Sequence, residues 1–209
     1  MIEIYNVLEV KSHIEGLKAI IFDMDDTLYG EKEYVRSGYQ QIAKVLPQVE
    51  HAAEKLWRLF EEKKPAIDML LSEEGIDSDE LKQLCLKTYR FQEPEIHLYP
   101  GVKELLAELK EQGYLLGVIT DGRPEGQRAK IKALGLEKLV DHLIVTDEFG
   151  GAEFRKPNPL AFETMKEKMG VEYSQMCYVG DNIKKDFIAP ENLGMRCIWF
   201  KNNDGLYVG

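Results

Sequence analysis

Five short apolar runs, each closing on a polar or glycine residue or leading straight into one, narrow the folds open to this chain more than any other feature. They are 17–22, Leu115–Thr120, 142–146, Met176–Gly180 and Arg196–Phe200. Runs of this length without polar alternation read as strands buried on both faces, which is the mark of a parallel sheet sandwiched between helices. Between them lie segments of helical period. Residues 101–112 carry Val102, Leu105, Leu106 and Leu109, and residues 123–134 and 160–169 behave alike. The last two each close on a glycine, Gly135 and Gly170, placed where a helix C-terminus uses one. The alternation predicts an α/β protein built on a doubly wound parallel sheet.

One stretch departs from this rhythm. Residues 30–97 hold no strand-like run, yet Tyr39, Ile42, Val45 and Leu46, then Leu56, Leu59 and Phe60, then Leu81, Leu84, Cys85 and Leu86 fall at helical spacing. A parallel crossover needs one helix, so this much helical sequence between two strands predicts an inserted α-helical domain. The expected division is 1–29 with 98–209 as the α/β core and 30–97 as the insert, hinged where proline and glycine cluster. Residues 1–16 form a longer lead than the first strand requires, either an extra edge element or a junction.

Charge and composition exclude several function classes. The 209 residues carry 27 Lys+Arg against 37 Asp+Glu, a formal charge of −10, with no basic run. A polyphosphate backbone needs a clustered positive surface, so nucleic acid is not an expected partner. No apolar stretch approaches the roughly 20 residues of a membrane span, and the first residues lack a signal-peptide pattern, so no membrane partner and a cytoplasmic setting are expected. Cys85, Cys177 and Cys197 are too few and too scattered for a disulfide framework or a zinc site.

The chemistry gathers at strand ends. The first strand runs into Asp23-Met24-Asp25-Asp26-Thr27. In open parallel sheets ligands bind beyond the carboxyl ends of the strands, and closely set carboxylates there lose hydration and repel one another, a cost a divalent cation relieves. An acidic turn capping a helix accounts for one aspartate but not for the cluster. An EF-hand loop is excluded, because its sixth position is Leu28 and its twelfth is Tyr34. The second strand ends at Thr120, followed by Asp121-Gly122, a hydroxyl and loop amides suited to a phosphate oxygen but equally an ordinary turn. Lys156 sits in Arg155-Lys156-Pro157-Asn158-Pro159, and a later strand ends Gly180-Asp181-Asn182 with Asp186 a helical turn beyond.

Taken in order, Asp-x-Asp-x-Thr, then Thr, then Lys-Pro-x-Pro, then Gly-Asp-Asn-x-x-x-x-Asp resemble the haloacid dehalogenase superfamily of phosphohydrolases, across essentially the whole chain. The resemblance implies a Rossmann-like core with the helical insert as a subfamily I cap. It implies that Asp23 is the nucleophile that forms an aspartyl-phosphate and that Asp25 is the general acid and base. Thr120, the Asp121 loop amides and Lys156 are expected to hold the phosphoryl oxygens. Asp181, with the Asp23 side chain and the Asp25 backbone carbonyl, is expected to bind Mg²⁺, with Asp186 supporting Lys156 or a metal-bound water. Dehalogenases of this superfamily lack an acid at the position of Asp25, since halide leaves without a proton, so Asp25 points to phosphoryl chemistry.

The expected function is therefore a Mg²⁺-dependent phosphatase for a small phosphorylated metabolite, of sugar phosphate or nucleoside monophosphate type. The helical insert is expected to read the rest of the substrate, with candidate contacts at Tyr29, Tyr34, Arg36, Tyr89 and Arg90 near the hinges and Arg123 on the core side. A phosphomutase of the same superfamily is the enzymatic alternative. A phospho-accepting regulatory module is the alternative from another class, disfavoured because such modules are shorter and carry no insert.

Overall fold

The computed structural model describes residues 1–206. Strands β1 (Ile2–Ile4), β2 (Ala19–Phe22), β3 (Leu115–Thr120), β4 (His142–Val145), β5 (Met176–Gly180) and β6 (Arg196–Phe200) form a six-stranded sheet in the order β1-β6-β5-β2-β3-β4. Every pairing is parallel. The α/β architecture expected from the apolar runs is present. Its physical basis shows in β2 and β5, every residue of which is buried, so neither strand has a solvent face to encode by alternation.

Helices α1 (Glu31–Val45), α2 (Ala52–Glu61), α3 (Ala66–Glu73) and α4 (Asp79–Arg90) all lie between β2 and β3 in the chain. The remaining helices are α5 (Val102–Glu111), α6 (Pro124–Leu134), α7 (Leu136–Leu139), α8 (Leu160–Met169) and α9 (Ile188–Leu193). Gly135 and Gly170 end α6 and α8 with φ of 67° and 64°, a conformation that costs other residues a steric clash. One face of the sheet, through Ala19, Ile21, Ile119, Met176 and Tyr178, packs on Phe162, Met165 and Met169 of α8 and Ala189 of α9.

Of the two readings of the lead segment, the structure shows the edge element, with β1 paired to β6 in the register Ile2↔Ile198, followed by a 3-10 turn over Val7–His13. One detail goes beyond the sequence reading. The insert contains α3, which the apolar spacing alone did not separate. At 8 residues α3 offers little more than one repeat of its apolar pattern.

The chain divides into two compact units, residues 1–31 with 97–209 and residues 32–96. The second has its own core, in which Tyr39, Ile42 and Leu46 of α1 meet Leu56 and Leu59 of α2, Leu70 of α3 and Cys85 of α4. Cys85, Cys177 and Cys197 are buried free thiols. No helix among the described residues is long and apolar enough to cross a membrane.

Candidate active site

Strand order determines which chain segments meet. β2 lies between β3 and β5, and the connections from β2 and from β4 leave in opposite directions across the sheet, creating a switch point at the carboxyl edge. Asp23 directly follows β2, Thr120 is the last residue of β3 and Asp181 directly follows β5. The Asp23 N–H donates to Val179 O at 2.8 Å, which extends the β2–β5 ladder and fixes where the aspartate emerges.

Asp23 is 4% exposed, and its Oδ1 accepts a hydrogen bond from Lys156 Nζ at 2.6 Å. The same ammonium donates to the Tyr178 hydroxyl at 2.8 Å and lies 2.8 Å from Asp186 Oδ1. A lysine this deeply buried would by burial alone lose its proton, but Asp186 and Asp23 hold it protonated well above the usual lysine range. Burial pushes the Asp23 carboxyl up to about 7, helped by the Asp186 charge and opposed by Lys156.

Asp181 stands differently. Its Oδ1 accepts one long hydrogen bond, from Thr27 Oγ1 at 3.5 Å. Burial, followed by repulsion from Asp23, Asp186 and Asp26, raises it to about 8. One carboxylate oxygen from each of Asp23, Asp181 and Asp186 lies within 4.8 Å of the other two. Hard oxygen donors gathered this closely, one of them short of hydrogen bonds and all repelling one another, fit a divalent cation of the magnesium type. Asp186 is also engaged elsewhere, since its Oδ2 accepts from the Asn182 N–H at 2.9 Å.

Asp25 points toward α6. Its Oδ1 accepts from Lys130 Nζ at 2.7 Å and from the Tyr29 hydroxyl, and its Oδ2 accepts from Gln127 Nε2 at 2.8 Å. Burial would push this carboxyl up, but the Lys130 charge, with hydrogen bonds from Lys130, Tyr29 and Gln127, holds it below the usual carboxylate range. Tyr29, expected among the substrate contacts, is fully buried with its hydroxyl on Asp25. This corrects the sequence expectation, because an aromatic ring sealed in the core has no face left for substrate.

The other candidates are distributed as follows. Thr120 is fully buried, and its hydroxyl accepts from Gln127 Nε2. The Asp121 side chain braces the loop around Lys156, accepting from the Lys156 N–H at 3.0 Å, Thr146 Oγ1 at 3.0 Å and Lys185 Nζ at 2.9 Å. Arg123 is exposed at the start of α6, outside the residues that line the site cavity. That cavity measures about 290 Å³ and is lined by Asp23, Asp25, Glu31, Asp121 and Asp181, by Arg155, Lys156 and Lys185, and by Asn182. Tyr34, Arg36, Tyr89 and Arg90 belong to the helical unit.

Sequence reasoning missed Gln127, Lys130, Lys185 and Glu31. Burial first, and then the Asp25 charge, raise Glu31 to about 8. Gln127 and Lys130 did leave a signal, being three residues apart on the helix that follows Thr120, a spacing that sets both on one face.

Known proteins with similar sequence or structure share one family. The family model described as haloacid dehalogenase-like hydrolase matches residues 20–200. The glyceraldehyde 3-phosphate phosphatase of Methanocaldococcus jannaschii is 30% identical over 196 residues, covering 86% of this chain and 82% of that protein. The Pyrococcus abyssi protein of the same name is 37% identical over 102 residues, but the match spans 49% of this chain and 42% of that relative. A HAD-hydrolase of Bacillus subtilis bound to magnesium has a similar fold, with a TM-score of 0.66 at 20% identity over 88% of this chain and 87% of that one.

Proposed function

We propose a phosphatase activity from one premise: the chain belongs to the haloacid dehalogenase-like hydrolase family. The reaction is hydrolysis of a small phosphate monoester through an aspartyl-phosphate on Asp23. The observation that carries this reading is the pairing of two differently dressed carboxylates in one cavity. Asp23 is held by a buried lysine, and Asp25, two residues on, is held by donors from α6.

Asp23 attacks the phosphorus in line with the departing alcohol. The approach of a carboxylate to a phosphate dianion is repulsive, and the Lys156 ammonium, 2.6 Å from Asp23 Oδ1, offsets it while orienting the nucleophile. Asp186 in turn fixes Lys156, because the pair is fully buried and neither partner has water to turn to. Asp25, ionised in the resting site, takes up a proton from solvent as the negative charge of the ester arrives beside it, gives that proton to the leaving oxygen, and then takes one from the water that hydrolyses the aspartyl-phosphate. Asp23, Asp181 and the Asp25 backbone carbonyl, with Asp186 beside them, would hold magnesium, which would supply charge neutralisation for the transferring phosphoryl group. Loop amides after Thr120 are assigned to the remaining phosphoryl oxygens.

Several relatives narrow the substrate panel. Proteins similar to this chain are named glyceraldehyde 3-phosphate phosphatase, phosphoserine phosphatase and phosphoglycolate phosphatase. A further relative, 24% identical, is named (S)-2-haloacid dehalogenase 4A, a chemistry that Asp25 argues against here. The purified protein with Mg²⁺ is therefore expected to release phosphate from at least one of the three phosphate esters, or from a sugar phosphate or nucleoside monophosphate, and no halide from a 2-haloacid. Asp23→Asn is expected to abolish release. Full activity in Asp23→Asn, or no release from any ester, removes the proposal. An isomerised product that keeps its phosphate replaces it with the mutase alternative.

A further inference from the structure

We propose that Lys130 is a positioning residue: with Gln127 it clamps the Asp25 carboxylate to α6 so that one lone pair, on Oδ2, is left to exchange the proton of the reaction. The inference rests on the phosphatase reading and assigns a role to residues outside the strand-end motifs.

The donor count supports it. A carboxylate oxygen offers two lone pairs. Asp25 Oδ1 accepts from Lys130 at 2.7 Å and from Tyr29, so both of its lone pairs are used, whereas Oδ2 accepts only the 2.8 Å bond from Gln127. Lys130 and Gln127 are each 4% exposed and Tyr29 is fully buried, so none of these donors is shared freely with solvent. Gln127 also donates to Thr120 Oγ1, which ties the clamp to the end of β3. Glu31 Oε1 lies 3.9 Å from Lys130 Nζ on the cavity side.

An ammonium is an expensive way to fill a core. Replacing a buried ion pair with apolar side chains is often neutral or stabilising, so stability alone gives little reason to place a lysine here. Aim gives a reason, because a displacement of about 1 Å at a reacting group costs on the order of 10²-fold in rate. α6 is a continuous helix from Pro124 to Leu134 and supplies two of the three donors.

As the bond between Asp23 Oδ and phosphorus forms, the bond to the ester oxygen breaks and that oxygen takes the proton that Asp25 Oδ2 acquired from solvent when the ester bound, a proton returned to solvent at the end of the cycle. Water then attacks phosphorus, its proton passes to Asp25 Oδ2, and Asp23 leaves as carboxylate. The net change is ester plus water to alcohol plus inorganic phosphate.

The test separates the two halves with 4-nitrophenyl phosphate and Mg²⁺. Nitrophenolate leaves without a proton, so only the second half needs Asp25 to be well placed. Lys130→Met is expected to release nitrophenol in a burst approaching one equivalent of enzyme, followed by a steady rate about 10²-fold below that of the unaltered protein. Hydroxylamine-labile phosphate is expected to remain on the protein, and Lys130→Arg is expected to recover part of the rate. Burst and steady rate falling together, or an unchanged steady rate, overturns the proposal. If Lys130→Met does not fold, Lys130→Gln, which keeps a donor without the charge, is judged by the same outcomes. An unaltered protein that turns over neither this ester nor any other overturns the phosphatase reading, and this inference with it.

Discussion

Among single residues, Gly180 shows how closely the site is built. A Cβ added there would stand 2.5 Å from Asp186 Oδ2, and that oxygen is fixed by the Asn182 N–H while its partner oxygen contacts Lys156. Gly180→Ala is therefore expected to displace Asp186, costing about 1–3 kcal/mol of stability from overpacking. It should lower turnover on the order of tenfold through Lys156, which a thermal melt and a phosphate-release assay would measure together. Asp181 should respond in the opposite sense. Its carboxylate is crowded by Asp23, Asp186 and Asp26, so Asp181→Asn is expected to stabilise the protein in EDTA by about 1 kcal/mol, a common gain when a strained functional group is relaxed. The same variant should lose the rise in Tm that Mg²⁺ gives the unaltered protein. The strand-end aspartates and Lys156 were legible because their types recur at strand ends in a recognisable order. Lys130 was not, since a lysine on an amphipathic helix has the composition of a solvated face, and only the fold shows it turned inward.

Secondary-structure elements were legible in proportion to how much of their surface is buried. β3, β5 and β6 match their runs from end to end, because strands largely covered on both faces are mostly apolar, with polar residues such as Arg196 and Thr120 confined to their ends. β1 is an edge strand of 3 residues, too short to carry a pattern, and its pairing comes from β6. The start of β3 has a further tie. Asp141 accepts from the Leu116 N–H at 2.8 Å, its own N–H donates to Leu116 O at 2.9 Å, and Lys110 on α5 lies 2.9 Å away. Burial would raise this carboxyl, but the Leu116 N–H and Lys110 outweigh it and hold it below its ordinary value of 3.8. A carboxyl depressed on folding adds stability above the unfolded value, and the contribution disappears as pH falls through the folded one. Asp141→Asn is thus expected to cost about 1 kcal/mol at neutral pH, the difference between a charged and a neutral hydrogen-bond acceptor. The gap between the two proteins should close as pH drops below 3.8, and acid titrations of both by circular dichroism would show whether it does.

Across the whole molecule, the formal charge of −10 argues against a polyanion more than against a small phosphate ester, because Arg155, Lys156 and Lys185 stand in one cavity among carboxylates that a divalent cation would offset. The same scale decides how the chain unfolds. Residues 32–96 pack around their own core and the sheet around another, an arrangement that favours two cooperative units over one. Leu56 is fully buried in the helical core, and Leu56→Ala is expected to destabilise that unit by about 2–5 kcal/mol. Native-state hydrogen exchange should then show faster exchange at amides of α2 and α3 while β2, β3 and β5 keep their protection. Magnesium supplies the converse perturbation. A ligand at 100 times its Kd stabilises what it binds by about 2.7 kcal/mol, and its expected ligands, Asp23 and Asp181, follow β2 and β5. Mg²⁺ should therefore slow exchange in those strands and leave α2 and α3 unchanged. If both units responded alike to both perturbations, the chain would unfold as one cooperative body, and the helical insert would owe its stability to the sheet rather than to its own core.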